Sequence, residues 1–207
     1  MKKEISISKG NTKMGLIKSV SLPPLVTCSP EACKCCGKKC YAHKIARLRK
    51  TVAAAYQRNL DIYKEDPDMF FKQVDLAMAT SSLFRIHVSG DFPDYEYMVR
   101  MIEVVNENPQ CEVLCFTKRF EWVNKWLEEN VHLPKNLHLI FSAWKGLQVS
   151  NPFSLPECHI IYRDGTTTAP EDKPNWVCKG NCTECKVTDY HGCWKLNKGE
   201  CVLIMEH

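Results

Sequence analysis

The sequence predicts an α/β fold: a parallel-stranded partial or distorted (β/α) barrel with cysteine-rich loops at both ends, as a single domain over residues 1–207. Three observations point to it. Strand-like and helix-like runs alternate between residues 83 and 163. The helical runs are about 10–14 residues long, enough to carry the chain back across a sheet for parallel pairing. Ten of the thirteen cysteines stand outside that core in two groups, at 28–40 and 178–201.

Residues 1–27 are polar until the run SVSLPPLV, whose paired prolines favour extended chain. The cysteine loop 28–40 follows. From Tyr41, Ile45, Leu48, Val52, Ala55, Tyr56 and Leu60 recur at three- and four-residue steps, predicting one helix to about Lys64. Asp66-Pro67 restarts a second helix, with Asp66 as N-cap and Pro67 first in the helix, running to about Thr80. LFRIHV (83–88) reads as a strand ending in Ser89-Gly90-Asp91. Residues 94–106 read as a helix with Tyr97, Met98, Met101, Ile102 and Val105 on one side. CEVLCF (111–116) and NLHLIFSAW (136–144) are further strands, separated by a helix over 121–130, and CHIIYR (158–163) is a fourth. From Asp164 the chain is loop-rich, with turn residues between cysteines and one closing strand, CVLIM. So poor in periodic apolar positions, the segment from Asp164 on would struggle to order itself without a metal.

The basic start lacks the apolar stretch of a secretory signal. No run approaches the ~18 apolar residues of a membrane helix. The expected location is the cytoplasm, where thiols stay reduced. An odd number of cysteines there argues for metal ligation or redox chemistry over a disulfide framework. Cys111, Cys115 and Cys158 lie in apolar strand-like runs and read as small buried hydrophobes. Charge is uneven: residues 1–50 sum to +10 and residues 51–207 to −6. The basic third suits an anionic partner such as nucleic acid. Equally, Lys34, Lys38, Lys39 and Lys44 offset the charge of neighbouring thiolates.

Thiolates two and three residues apart converge on one centre from a single turn of backbone. The C-terminal spacing is Cys178-x3-Cys182-x2-Cys185-x7-Cys193, with Cys201 beyond. C-x3-C-x2-C is the arrangement by which three thiolates hold a 4Fe–4S cube, and Cys193 offers the fourth ligand that closes it. Zinc on four cysteines is the alternative. In radical S-adenosylmethionine enzymes this spacing follows the first barrel strand, with an aromatic before the last cysteine. Here it lies near the C-terminus, with Glu184 in that place. The N-terminal spacing, Cys28-x4-Cys33-x2-Cys36-x3-Cys40, supplies four thiolates with Cys35 spare. Cys40 sits where a helix begins, so free N–H groups can stabilise its thiolate. His43, one turn along, reads either as a ligand or as an ordinary helix-surface residue. Tyr41, Trp176, Tyr190 and Trp194 would cover a cluster from solvent, or stack on nucleobases.

The strand 83–88 is the other informative site. Alternation puts Leu83, Arg85, His87 and Ser89 on one face. A strand flanked by helices should be apolar on both faces, so Arg, His and Ser together imply a polar interior or a mouth. Sites in parallel α/β folds gather at strand C-termini, where Ser89, Asp91, Thr117, Lys118 and Ser142 stand. Together with Arg85 and His87 they could bind a polar or anionic small ligand. The plainer reading is an exposed edge strand with solvated Arg and His.

The string GNTKMG, SLPP with Thr27-Cys28, Cys40-Tyr41-Ala42, Arg85-x-His-x-Ser-Gly-Asp-Phe, Phe116-Thr117-Lys118 and Pro134-x-Asn136 together resemble the phage gene product 88 family. The resemblance implies a radical-SAM-like, barrel-like α/β core with iron–sulfur ligands from both ends. It points to Cys28, Cys36 and Cys40 at one site and Cys178, Cys182, Cys185 and Cys193 at another, with Arg85, Ser89, Asp91, Thr117 and Lys118 lining the pocket. In relatives two residues separate the last N-terminal cysteines, whereas here Cys36 and Cys40 are three apart. Which of Cys33, Cys35 and Cys36 ligate is thus left open.

The leading expectation is an iron–sulfur protein carrying one or two 4Fe–4S clusters. Its chemistry would be redox or radical-type, on a small or nucleotide-like ligand at the strand C-termini, with S-adenosylmethionine a candidate cosubstrate. The alternatives are a zinc-stabilised nucleic-acid-binding module working through residues 1–50, and a non-catalytic electron-transfer or sensor protein with fully ligated clusters.

Overall fold

Period-2 apolar runs become the strands of one sheet, and period-3.6 runs become the helices that cover it. The computed structural model describes residues 4–12 and 14–206. Residues 1–3 of the basic segment, Lys13 of the GNTKMG string and His207 lie outside the described residues, as does the side chain of Lys38. The strands are β1 (Ile7–Ser8), β2 (Lys18–Val20), β3 (Leu83–Ile86), β4 (Glu112–Thr117), β5 (Leu137–Ser142), β6 (Glu157–Ile161), β7 (Asn175–Val177) and β8 (Cys201–Met205). Between them run α1 (Pro30–Cys36), α2 (Tyr41–Leu48), α3 (Lys50–Glu65), α4 (Pro67–Ala79), α5 (Tyr95–Glu107), α6 (Phe120–Asn130) and α7 (Cys182–Val187).

The sheet order is β1-β2-β3-β4-β5-β6-β8-β7. Every pairing is parallel except that of β1 with β2. The parallel α/β expectation therefore holds, but the sheet does not close: β1 and β7 are free ends. Each face has its own cover. On the outer face, Val20, Phe84, Ile86, Val113, Cys115, Leu139 and Phe141 pack against α3, α4, α5 and α6 in one large core. Burying each large apolar side chain there is worth about 1.5–3 kcal/mol. On the inner face, Leu114, Ile140, Cys158 and Val202 pack against Cys185 and Trp194 of the C-terminal segment. A folded-over segment thus fills the side that further strands would occupy in a barrel.

Local chemistry sets the boundaries. Asp66 caps α4 by accepting from Met69 N–H at 3.0 Å, with Pro67 first in the helix as expected. Asp94 caps α5 in the same way through Tyr97 N–H. Among the helices, three regions differ from the sequence expectation. The cysteine loop 28–40 contains a helix, α1, which Ser29 caps at Ala32 N–H before Pro30 starts it. The single helix expected over 41–64 is two, because Arg49 is extended (φ −121°, ψ 94°) between α2 and α3. In the loop-rich tail, Asn181 caps α7, which carries Cys182 and Cys185. Among the described residues no helix is long and apolar enough to cross a membrane.

Candidate functional site

At the C-terminal ends of β3–β6 and β8 lies a cavity of about 170 Å³. Cys28, Cys36 and Cys40 border it from α1 and its flanks, opposite Arg85, Phe116 and Cys158 of the sheet. Cys40 holds the N-cap position of α2, as the spacing suggested. The thiols of Cys28, Cys33, Cys36 and Cys40 are near enough to repel one another as thiolates. Burial, then Asp91, pushes Cys28 up to about 12. Burial raises Cys33 and Cys36 as well. The cation that opposes this at Cys28 and Cys36 is Lys118, whose ammonium donates to Ser142 Oγ at 2.9 Å. Cys35 turns elsewhere, into a separate depression beside Trp144, Lys145 and Tyr162.

All the ligand residues expected from the sequence border the cavity except Thr117. Thr117 stands behind Asp91, donating to its Oδ1 at 2.7 Å. Asp91 also accepts from Phe92 N–H and Lys118 N–H, and its own N–H donates to Thr27 Oγ1 at 3.1 Å. So fully bonded, Asp91 is a brace that joins the loop after β2 to the ends of β3 and β4. Burial pushes its carboxyl up while Thr117 and Lys118 hold it down. Gly90 makes this close approach feasible: φ is +77°, and a Cβ there would sit 2.6 Å from Thr27 Oγ1. Arg119, which the sequence reading did not single out, ties the same loop down by donating to Phe92 O and Thr27 O at 3.0 Å each.

His87 departs from the alternation expected of it. Pairing of β3 ends at Ile86, and His87 takes a left-handed backbone (φ 56°). Its ring turns to the helix side, stacking on Tyr97, with Nε2 3.0 Å from Tyr97 Oη, while still bordering the cavity. Burial lowers it to about 3, so the imidazole is neutral. Ser89 Oγ is buried beside Tyr56, another residue the periodicity had placed only on a helix face, and has no hydrogen-bond partner there. Arg85 does keep to the inner face. Its guanidinium lies over Phe116, 4.9 Å from the ring centre, and its Nη1 stands 3.9 Å from Cys182 Sγ. Its Nε is buried without a hydrogen-bond partner.

Through Arg85 the cavity meets the second cysteine group. Cys178, Cys182, Cys185 and Cys193 gather on the inner face, close enough to raise one another's thiols. Backbone N–H groups reach two of them: Gly180 N–H donates to Cys178 Sγ at 3.4 Å, and Lys179 N–H reaches Cys185. Trp194, 3% exposed, covers the group and donates to Cys182 O at 2.9 Å. Of the other aromatics expected as covers, Tyr190 packs beside Cys178, Cys185 and Cys193 and bonds Val177 O, Tyr41 borders the cavity next to Cys40, and Trp176 packs on His191. Met14 supports α7, its carbonyl accepting from Thr183 Oγ1 at 3.0 Å. Cys158 is buried, as an apolar strand cysteine should be, yet it lies between the two groups, bordering the cavity and facing Cys178 and Cys193. Cys111 and Cys115 belong to the outer core. Cys201, the remaining tail cysteine, is on the opposite face of β8 from Val202.

The family model described as Gene product 88 matches residues 2–148, which carry the sheet through β5 and the N-terminal cysteines. A gene 88 protein of Mycobacterium phage L5 is 31% identical over 123 residues, 53% of this chain and 51% of that protein. The chain therefore spans about half the length of that relative. A gene 88 protein of Mycobacterium phage D29 is 29% identical over 198 residues, 87% of this chain and 79% of that protein. No solved structure matches the chain significantly.

Proposed function

The chain belongs to the gene product 88 family, and we propose that its two cysteine groups hold 4Fe–4S clusters with different roles. Cys28, Cys36 and Cys40 hold an open cluster beside the cavity, with Cys33 adjoining them. Cys178, Cys182, Cys185 and Cys193 hold a closed one on the inner face. One observation carries this reading: three N-terminal thiols border the cavity at the strand ends, while Cys33 and Cys35 do not. Three thiolates leave one iron of a cube without a protein ligand, whereas four ligate it fully.

The donor set fits the group. Among the described residues no three of these thiols lie within 4.8 Å of one another. Tetrahedral zinc, with Zn–S near 2.3 Å, would hold its sulfurs only about 3.8 Å apart. A cube spreads its thiolates farther because each binds a different iron. The N–H donors on Cys178 and Cys185 and the cations Lys118 and Arg85 are the contacts that stabilise a cluster's thiolates. This chemistry suits a reducing cytoplasm.

Bound there, an open cluster supplies single electrons and a coordination position for a small molecule. The chain's own residues define what enters. Lys118 and Arg85 attract an anionic group, and Phe116, Trp144 and Ile160 exclude water from its other side. His87, neutral at physiological pH, offers Nδ1, which has no hydrogen-bond partner. Asp91 is committed to its three donors and only holds the walls in place. The reading is thus a redox or radical-type enzyme acting on a small anionic or nucleotide-like ligand, with S-adenosylmethionine the first cosubstrate to try.

Electron paramagnetic resonance of anaerobic, dithionite-reduced protein tests this. Two signals are expected, of which Cys36→Ser removes one and Cys185→Ser the other. S-adenosylmethionine should shift only the signal that Cys36→Ser removes. A single signal, or one that both substitutions abolish equally, would contradict the assignment of two separate clusters.

A further inference from the structure

The outer face of β6 and β8 is the one part of the sheet with a different kind of cover. Among the described residues, no residue of β6, β7 or β8 joins the large helix-covered core. Yet three potential metal ligands are buried there. Register sets Glu157 opposite Cys201, and His159 lies two residues along on the same face. Their exposures are 5% for Glu157, 3% for His159 and 0% for Cys201. One ligand atom from each lies within 4.8 Å of the other two.

The groups around the trio act as outer support. Glu157 Oε1 accepts from Asn151 Nδ2 at 2.7 Å and from Lys173 Nζ at 3.0 Å. His159 Nδ1 stands 3.0 Å from Thr168 Oγ1. Metal-ligating carboxylates and imidazoles are typically oriented in this way, through the atom that does not bind the ion. Glu157 Oε2 and His159 Nε2 remain, 2.8 Å apart. Without an ion these two share a proton and the Cys201 thiol has no role in the network. With one, all three become ligands.

We propose that Glu157, His159 and Cys201 form a zinc site that fastens β8 to β6, separate from both cysteine groups. Thiolate, imidazole and carboxylate together suit zinc, a borderline-soft ion that accepts all three. Three protein ligands leave one position for water or another small donor. The site does the work of the helix missing from this part of the sheet, because metal binding adds directly to folding stability. Loops 151–155 and 164–174, which supply Asn151, Thr168 and Lys173, are fastened by the same ion.

Zinc K-edge absorption of the anaerobically purified full chain, iron in place, is the direct test. About one zinc per chain is expected, with one sulfur and otherwise nitrogen or oxygen neighbours. Thr168→Val, which removes only the support to His159, should weaken zinc binding roughly tenfold while leaving iron content unchanged. Cys201→Ser should replace the sulfur neighbour by oxygen or abolish binding. No zinc bound at micromolar free zinc, or zinc unchanged in both variants, would overturn the proposal. Zinc with four sulfur neighbours would also overturn it, and would separately count against iron–sulfur clusters in the cysteine groups.

Discussion

His87 makes the stability of this protein dependent on pH in a way that can be isolated. The imidazole is buried against Tyr97 and Phe92, and burial lowers it to about 3. In the unfolded chain an ordinary histidine titrates near 6.5. Because the folded value is the lower one, the contribution to stability is fully present above about 6.5 and is lost as pH falls towards 3. From these two values the loss between pH 8 and pH 5 is about 2 kcal/mol. For a chain of this size that is roughly 4–8 °C in Tm. His87→Asn keeps a residue that tolerates the left-handed backbone but cannot titrate. The substitution carries a fixed cost at every pH, so the quantity to read is each protein's change in Tm between pH 8 and pH 5. The wild type should lose roughly 4–8 °C more than the variant. Equal losses would refute the claim that a buried neutral imidazole stands at the end of β3.

Three further outcomes follow from the geometry. Asp91→Ala leaves three donors without an acceptor, at about 1–3 kcal/mol each, so urea unfolding should show about 3–9 kcal/mol of destabilisation. Gly15 has φ +72°, and a Cβ there would sit 2.1 Å from Thr183 Oγ1; Gly15→Val should therefore loosen α7, costing about 2–4 kcal/mol and depleting iron from the C-terminal group. Cys35→Ser should retain the full iron content, because Cys35 turns away from the other N-terminal thiols, whereas Cys36→Ser should lose about half.

The β/α core from β3 to β6 was legible in the sequence because its apolar residues switch between periods of two and 3.6 over runs long enough to count. What was not legible depends on contacts distant in sequence. Lys18–Val20 is a strand because it pairs with Phe84–Ile86 on one side and Ile7–Ser8 on the other. Asn175–Val177 is an exposed edge, held by β8 alone. His87 leaves its face through a backbone dihedral that alternation cannot encode. The sequence pattern announced two cysteine groups and put Asp91 at a strand end. It could not show that Cys35 turns away, or that Asp91 is a brace. The N-terminal group borders the cavity and the C-terminal one lies on the inner face, with Arg85 and Cys158 where they meet. Glu157 and His159 did leave a trace, as polar residues two apart in an otherwise apolar strand. Reading them as a site required knowing that Cys201 pairs opposite Glu157.

The central claim is that these cysteines hold iron and not zinc. Iron and acid-labile sulfide counted on anaerobically purified protein, with a Mössbauer spectrum of the same sample, test it most directly. Two 4Fe–4S clusters require about eight irons and eight sulfides per chain in a brown protein. A colourless, folded protein free of iron, with zinc held by four sulfurs in each group, would contradict it.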